Sequence, residues 1–320
     1  MKKIVKQNPF QQWKIKKTKE RLTTQPKLSL KSLFLLSNFY VMLNDIIERA
    51  LIEDIGDGDH SSLACVPENA IGKATLFIKD DGIIAGIDLA HKIFKKYDPT
   101  LQIESFIVDG SPVKNGDIAF QVIGSSRSIL ATERLVLNFI QRMSGIATQT
   151  NKIVTLLEGT PTKLLDTRKT TPGIRYMEKW AVRIGGGNNH RFALYDMIML
   201  KDNHIDYAGG IEPAIQRTHS YLKETGKNLK IEIEVRDFIE LKKVLEIGGV
   251  DRIMLDNFTP AELKEALLLI PDKYETEASG GITIENIREY AETGVDFISV
   301  GALTHSFKSL DMSLKADFGN

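Results

Sequence analysis

From Pro161 onward, short apolar runs alternate with segments of helical period, and that alternation leaves few architectures open. The runs are Lys163–Asp166, Met197–Leu200, Lys230–Val235, Arg252–Asp256, Glu277–Ser279 and Phe297–Val300; helical patterns fall at 211–225, 238–248, 260–270 and 283–293. A helix between two strands carries the chain back across the sheet, so the strands pair in parallel. The pattern therefore predicts an α/β fold with a parallel sheet closed, or nearly closed, into a barrel. Six runs are too few for a complete (β/α) barrel. Either the barrel is incomplete or further strands lie between Asp166 and Met197.

Ahead of Pro161 the rhythm differs. Leu43, Ile46, Ile47, Ala50 and Leu51 recur at helical spacing, with Asn44 or Asp45 as candidate caps, and an acidic glycine-containing loop follows at Glu53–Ser62. Lys73–Lys79, Leu101–Val108 and Asp117–Gly124 read as strands, with turns at Asp109-Gly110 and Asn115-Gly116, and Asp88–Tyr97 reads as a helix. A helical region covers Ser128–Met143 and, after a break expected at Ser144-Gly145, Ile146–Leu157. This is an α/β layer preceding the barrel.

The net charge is zero but unevenly spread. Residues 1–41 hold ten Lys and Arg against one acid, Glu20, leaving 32 basic and 41 acidic residues in the rest. An acidic body argues against a nucleic-acid surface, so a basic cluster within it is informative. Residues 1–41 read as a disordered extension, or as residues ahead of a true start at Met42. Their apolar part, Leu28–Leu43, is too short and too broken for a membrane span. The single cysteine, Cys65, permits no internal disulfide, which fits a cytoplasmic protein, and is expected to be a small buried hydrophobe. No Cys-x-x-Cys or His-Glu-x-x-His pattern is present, so no structural zinc site is expected.

Polar residues collect where the runs end, which in a parallel barrel is where function sits. The ends carry Asp166 to Thr170, Lys201 to His204, Glu232 with Glu234 and Arg236, Asp256 with Asn257, Ser279 to Gly281, and Gly301 to Ser306. Ser279-Gly280-Gly281 and Gly301 precede helical patterns after the last two strands, a setting that favours phosphate. Arg168, Lys169, Arg191 and Lys201 read as cations for an anionic substrate. Arg175, Lys179 and Arg183, four apart, share a helix face that is either solvated or part of the site. Glu232 and Glu234 point to one side of their strand, toward the barrel mouth. With Asp256 they suit Mg²⁺ or ribose hydroxyls.

The runs Asp166-Thr167-Arg168-Lys169-Thr170-Thr171-Pro172-Gly173, Gly185-Gly186-Gly187-Asn188-Asn189-His190-Arg191 and Lys201-Asp202-Asn203-His204 together resemble the quinolinate phosphoribosyltransferase family. Glu53 to Asp59, Glu133-Arg134 with Leu137-Asn138, Ser144 to Thr148, Glu234-Val235, Leu255 to Asn257, Ser279 to Ile282 and Val300-Gly301 extend the resemblance from about Met42 to the C-terminus. It departs at Ala193, where the family most often has Gly, and at Arg236, where many members have an acid or a neutral residue.

The resemblance implies an α/β layer domain over 42–136, with 305–320 returning to it, packed on an incomplete barrel over 137–304. It implies transfer of phosphoribosyl from 5-phosphoribosyl 1-diphosphate to quinolinate, with Mg²⁺ and loss of CO₂. Arg168, His190, Arg191 and Lys201 would line the quinolinate pocket with Thr167, and Lys169 would sit between it and the ribosyl donor. Glu234 and Asp256 would face the ribose hydroxyls and the metal, and Lys169, Glu234 and Asp256 would be catalytic. Ser279, Gly280, Gly281, Gly301 and His305 would hold the 5-phosphate side. Arg134 would reach the partner's site in a homodimer, with a hexamer as a larger assembly; no nucleic acid or membrane is implied. The competing expectation is a related phosphoribosyltransferase-like protein of molybdenum utilisation with another substrate. The joint presence of Arg134, Arg168, Arg191 and Lys201 favours a dicarboxylate.

Overall fold

The computed structural model describes residues 30–317, with side chains from Val41 on; the expectations for residues 1–29 lie outside the described residues. By contact the chain divides into two compact units, Met1–Ile46 and Ile47–Asn320. The described part of the first unit is helix α1 (Leu30–Ile55), which continues into the second. α1 begins well before the Met42 start that periodicity suggested, and Asn44 and Asp45 are interior positions rather than caps. The reason is local: neither glycine nor proline interrupts the chain between Pro26 and Gly56, and Gly56 ends the helix at φ +54°. Helix α2 (His60–Cys65) is capped by Asp59, which accepts from Ser62 N at 3.2 Å. Cys65, at its end, is exposed and not the buried hydrophobe expected. Among the described residues no helix is long and apolar enough to cross a membrane.

Strands β1 (Ile71–Ile78), β2 (Gly82–Ile83), β3 (Gln102–Ser105), β4 (Pro112–Val113) and β5 (Ile118–Ser125) surround helix α3 (Ile87–Tyr97) in sequence. Among the described residues β1, β3, β5 and the late strand β12 (Met312–Asp317) form a four-stranded antiparallel sheet, ordered β12-β1-β5-β3, and β2 pairs with β4. Alternation buries Leu76, Ile78, Phe120 and Val122, and α3 contributes Leu89, Ile93 and Phe94. Phe94 meets Phe120 edge to face at 6.0 Å. Each such side chain adds roughly 1.5–3 kcal/mol of burial.

Helix α4 (Ser126–Leu156) is continuous, so the break expected at Ser144-Gly145 does not occur. Both residues serve packing instead. Ser144 Oγ accepts from Ala85 N at 2.9 Å. A Cβ on Gly145 would collide with the backbone at Lys308 and Ser309, because the C-terminal segment crosses the helix there. That close approach outweighs the roughly 1 kcal/mol by which glycine weakens a helix.

The parallel sheet contains β6 (Lys163–Leu165), β7 (Ile198–Leu200), β8 (Ile231–Val235), β9 (Arg252–Asp256), β10 (Glu275–Ser279) and β11 (Phe297–Ser299). Between them in sequence lie α5 (Arg175–Ile184), α6 (Asp202–Ala208), α7 (Ile211–Thr225), α8 (Phe238–Ile247), α9 (Pro260–Leu269) and α10 (Ile287–Ala291); α11 (Ala302–His305) and β12 (Met312–Asp317) follow. The spatial order is β6-β11-β10-β9-β8-β7, which leaves β6 and β7 as edges and the barrel incomplete. The strands sought between Asp166 and Met197 are absent among the described residues; α5 and one isolated bridge, Leu165 to Asn188, occupy that stretch. The helix expected at 283–293 shortens to α10, since Asn286 Oδ1 accepts from Thr283 N at 2.8 Å and holds the preceding residues in a turn. β12 was not legible as a strand from its own pattern. It completes the first sheet, Met312 opposite Ile78 and Asp317 opposite Lys73, in keeping with the return of the tail.

Candidate active site

A cavity of about 500 Å³ opens at the carboxyl ends of the parallel strands. A cleft of similar size, about 530 Å³, lies between Asp80-Asp81, helix α4 and Lys308–Leu310, but carries none of the expected site residues. The strand-end cavity carries ten of them. Thr167, Arg168 and Lys169 come from the end of β6, and His190 and Arg191 from the loop after α5. Lys201, Glu234, Asp256, Ser279 and Gly280 come from the ends of β7 to β10.

The β6 loop is tied down on every side. Thr167 Oγ1 accepts from Lys169 N at 3.0 Å, and Thr304 Oγ1 donates to Lys169 O at 2.9 Å. Buried Glu178 accepts from Thr171 N at 3.0 Å and from Arg142 Nε at 2.9 Å. Arg175 donates to Thr170 Oγ1 at 2.8 Å and to Phe192 O at 3.1 Å. Asp166 does not face the cavity. It is fully buried, pairs with Lys179 Nζ, and accepts from His190 N at 2.8 Å and Asn189 Nδ2 at 2.6 Å. Burial pushes its carboxyl up, against the opposing pull of Lys179. Lys179 is therefore neither solvated nor part of the cavity: it is a structural cation, 3% exposed. Its helix face is not shared chemistry: Arg175 is tied to Thr170 and Phe192, and Arg183 is exposed.

The glycine run before His190 is needed for more than a turn. A Cβ on Gly185 would strike Ala147 O, and one on Gly187 would lie 2.8 Å from Thr150 Cγ2, so the loop lies directly against α4. His190 Nε2 is 2.9 Å from Glu232 and 3.4 Å from Glu277. Burial works against charging the imidazole, while Glu232 and Glu277 draw a proton to its Nε2 edge. Nδ1 accepts from Arg191 N at 2.6 Å, so the proton is held on the Nε2 side, shared with Glu232, whose carboxyl is pushed up by burial and by Glu277. Arg191 donates to Met197 O at 3.1 Å. Burial and then the neighbouring Arg168 push its guanidinium down, the mark of a site that favours an arriving anion.

Across the cavity, Lys201 Nζ pairs with Glu234 Oε2. Asp256 is pushed up by burial and then by Glu234. Asn257, the one non-glycine residue with positive φ among the described residues (φ 58°), donates to Asp256 at 2.6 Å. Its side chain fills the space a Cβ on Gly280 would need. Gly301 and His305 do not line the cavity. A Cβ on Gly301 would lie 2.9 Å from Lys169 Cδ and 3.1 Å from His305 Nε2, which sets Gly301 against the Lys169 stem on one side and the His305 ring on the other. Gly281 also lies outside the lining, and Arg134 is exposed on α4, away from it. Arg236 is exposed and held by Glu240 and Asp206.

Met199, Met254, Glu277 and Ser299 line the cavity and were not expected there. Each lies two residues before an expected position (Lys201, Asp256, Ser279, Gly301), on the same strand face. Extending the period-two pattern inward would have found all four.

Two family models match the chain: "Quinolinate phosphoribosyl transferase, N-terminal domain" over residues 59–144 and "Quinolinate phosphoribosyl transferase, C-terminal domain" over residues 146–315. The chain is 47% identical over 290 residues to "Nicotinate-nucleotide pyrophosphorylase [carboxylating], chloroplastic" of Oryza sativa subsp. japonica, covering 86% of this chain and 78% of the relative. It is 40% identical over 281 residues to "Probable nicotinate-nucleotide pyrophosphorylase [carboxylating]" of Bacillus subtilis (strain 168), covering 88% and 96%. Among solved structures it resembles NadC from Streptococcus pyogenes, with a TM-score of 0.82 and 38% identity over 88% of this chain and 98% of that one.

Proposed function

Since the chain belongs to the quinolinate phosphoribosyltransferase family, we propose that its strand-end cavity joins quinolinate to the phosphoribosyl group of 5-phosphoribosyl 1-diphosphate, releasing diphosphate and CO₂ and yielding nicotinate mononucleotide. The observation that carries this is the convergence of Arg168, Arg191 and Lys201 on one cavity, opposite the Glu234 and Asp256 carboxylates. Two adjacent carboxylates on a planar ring require such paired cations, and Arg can grip each bidentately. Thr167 and His190 complete that wall. Ser279 and the Gly280-Gly281 and Gly301 to His305 loops suit the 5-phosphate, and Lys169, whose stem lies against Gly301, stands between the two subsites.

The chain's residues act by placement and charge. The pyridine nitrogen, held by cations gripping the adjacent carboxylates, attacks the anomeric carbon; the C–O bond to diphosphate breaks and diphosphate leaves with its electron pair. Glu234 and Asp256 stabilise the positive charge that develops on the ribose. The ring nitrogen is then cationic and stabilises the electron pair left when the C–CO₂ bond breaks; that carbon takes a proton. Glu234 and Asp256 also suit Mg²⁺: they are hard oxygen donors at neighbouring strand ends whose mutual repulsion, evident in Asp256, a divalent cation would relieve. Mg²⁺, when bound, supplies positive charge for the diphosphate.

Arg134, exposed on α4 and absent from its own cavity, is assigned to the partner's site in a homodimer. A cytoplasmic location is supported by the single cysteine and by the absence of a membrane-spanning helix among the described residues. The test is direct: quinolinate and the ribosyl donor should yield CO₂ and nicotinate mononucleotide in equal amounts, and absence of either product would overturn the assignment.

A further inference from the structure

Beneath the cavity, β8 and β10 each bury a carboxylate. Glu232 and Glu277 have no exposed surface, at positions that barrel interiors ordinarily fill with branched aliphatic side chains. An unpartnered carboxylate there costs several kcal/mol. Both acids converge on His190 Nε2, at 2.9 and 3.4 Å. Arg252 closes the far side, donating to Glu277 at 2.9 Å and lying 4.2 Å from the centre of the Phe297 ring. Neither oxygen of Glu232, nor Oε1 of Glu277, nor His190 Nε2 is satisfied by a hydrogen bond, so close approach alone joins the acids to the imidazole.

The backbone and Nδ1 of His190 are hydrogen-bonded, and Nε2 lies against the acids. Its N donates to Asp166, its O accepts from Lys179 at 3.1 Å, Nε2 faces the two acids, and Nδ1 accepts from the Arg191 amide. Three donor atoms within 4.8 Å of one another could also bridge a divalent metal. Nδ1 decides against that. A metal-bound imidazole donates its other N–H, whereas this Nδ1 accepts one. Arg252 already brings positive charge to the acids.

We propose that Glu232 and Glu277 are positioning residues for quinolinate recognition: acting through His190, they fix the backbone at Arg191 and thereby the direction of its guanidinium. The inference rests on the assignment of this wall to quinolinate. Glu232 lies outside the cavity lining, and Glu277, though at its floor, has no exposed surface. They hold the imidazole edge, the imidazole holds the Arg191 amide, and the cation is presented without freedom to turn away.

The test is steady-state kinetics with both substrates on Glu232→Gln, Glu277→Gln, His190→Asn and the two doubles. Each Glu→Gln variant should raise the quinolinate KM about tenfold and leave the ribosyl-donor KM within about twofold. In the His190→Asn background, neither should raise the quinolinate KM by more than about twofold, because the route of action is already cut. Additive penalties, or equal rises in both KM values, would overturn the proposal. So would a full equivalent of metal in the wild type, measured by elemental mass spectrometry, that Glu277→Gln lacks. If the Gln variants do not fold, ¹⁵N NMR of histidine-labelled wild type reads the tautomer: Nδ1 of His190 should be unprotonated, and a proton there would sink the linkage. Absence of wild-type turnover would fault the substrate assignment instead, with the tautomer still testing the link between His190 and Arg191.

Discussion

Lys201 and Glu234 pair directly across the ends of β7 and β8, although one is assigned to quinolinate and the other to the ribose. Each group neutralises the other until a substrate claims it. Quinolinate taking Lys201 frees Glu234 for the donor, and the donor taking Glu234 frees Lys201. The two bindings are therefore coupled in the same sense, and by linkage equally in both directions.

Glu234→Gln should accordingly tighten quinolinate binding in the absence of the donor. Lys201 is partly exposed, so the pair contributes no more than about 1 kcal/mol, or roughly fivefold in affinity. Turnover should fall by about two orders of magnitude or more, because the acid facing the ribose is lost. Titration calorimetry with quinolinate alone measures the first effect; weaker binding in the variant would rule out the coupling.

Lys201→Ala should reduce kcat/KM for quinolinate by about 10²-fold or more, as expected when one partner of a desolvated charge pair is removed. The melting temperature should hold within about 2 °C, since the side chain is partly exposed and packs no core. Near-normal kcat/KM would remove Lys201 from the dicarboxylate wall.

Arg134→Ala and Lys169→Ala should each be inactive alone. Heterodimers of the two should regain about half of the wild-type dimer's activity if Arg134 completes the partner's cavity, because one of the two shared sites then has both residues. Verified heterodimers without activity would place Arg134 elsewhere.

Lys179→Met should destabilise the fold by about 3–5 kcal/mol, because it strands Asp166 as a buried unpaired carboxylate. Lys179→Met with Asp166→Asn should recover part of that loss. Denaturant titration measures both; equal stability of the single and double variants would contradict the pairing.

The parallel sheet and the cationic wall were legible because both follow from short-range pattern: alternating runs mark the strands, and charge beyond an apolar run marks a strand end. What was not legible depends on distant residues. Nothing near Gly145 says that Lys308 and Ser309 will cross it, so a glycine that permits contact read as a helix break. Lys179 could be read as solvated or as part of the site, and is neither, because its partner, Asp166, lies thirteen residues away at the end of β6. Glu277 read simply as strand. Its meaning depends on His190, Glu232 and Arg252, which come from three other parts of the chain.

The pairing of β12 with β1 also bears on how the chain comes to be folded. Residues 73–78 wait for residues 312–317, at the far end of the chain. During synthesis β1 therefore keeps an open edge until the ribosome has finished the barrel, and so few local contacts favour slow closure of the first sheet. An exposed strand edge is a template for a neighbouring chain, which makes the interval before the tail crosses Gly145 the point at which nascent copies are most prone to aggregate.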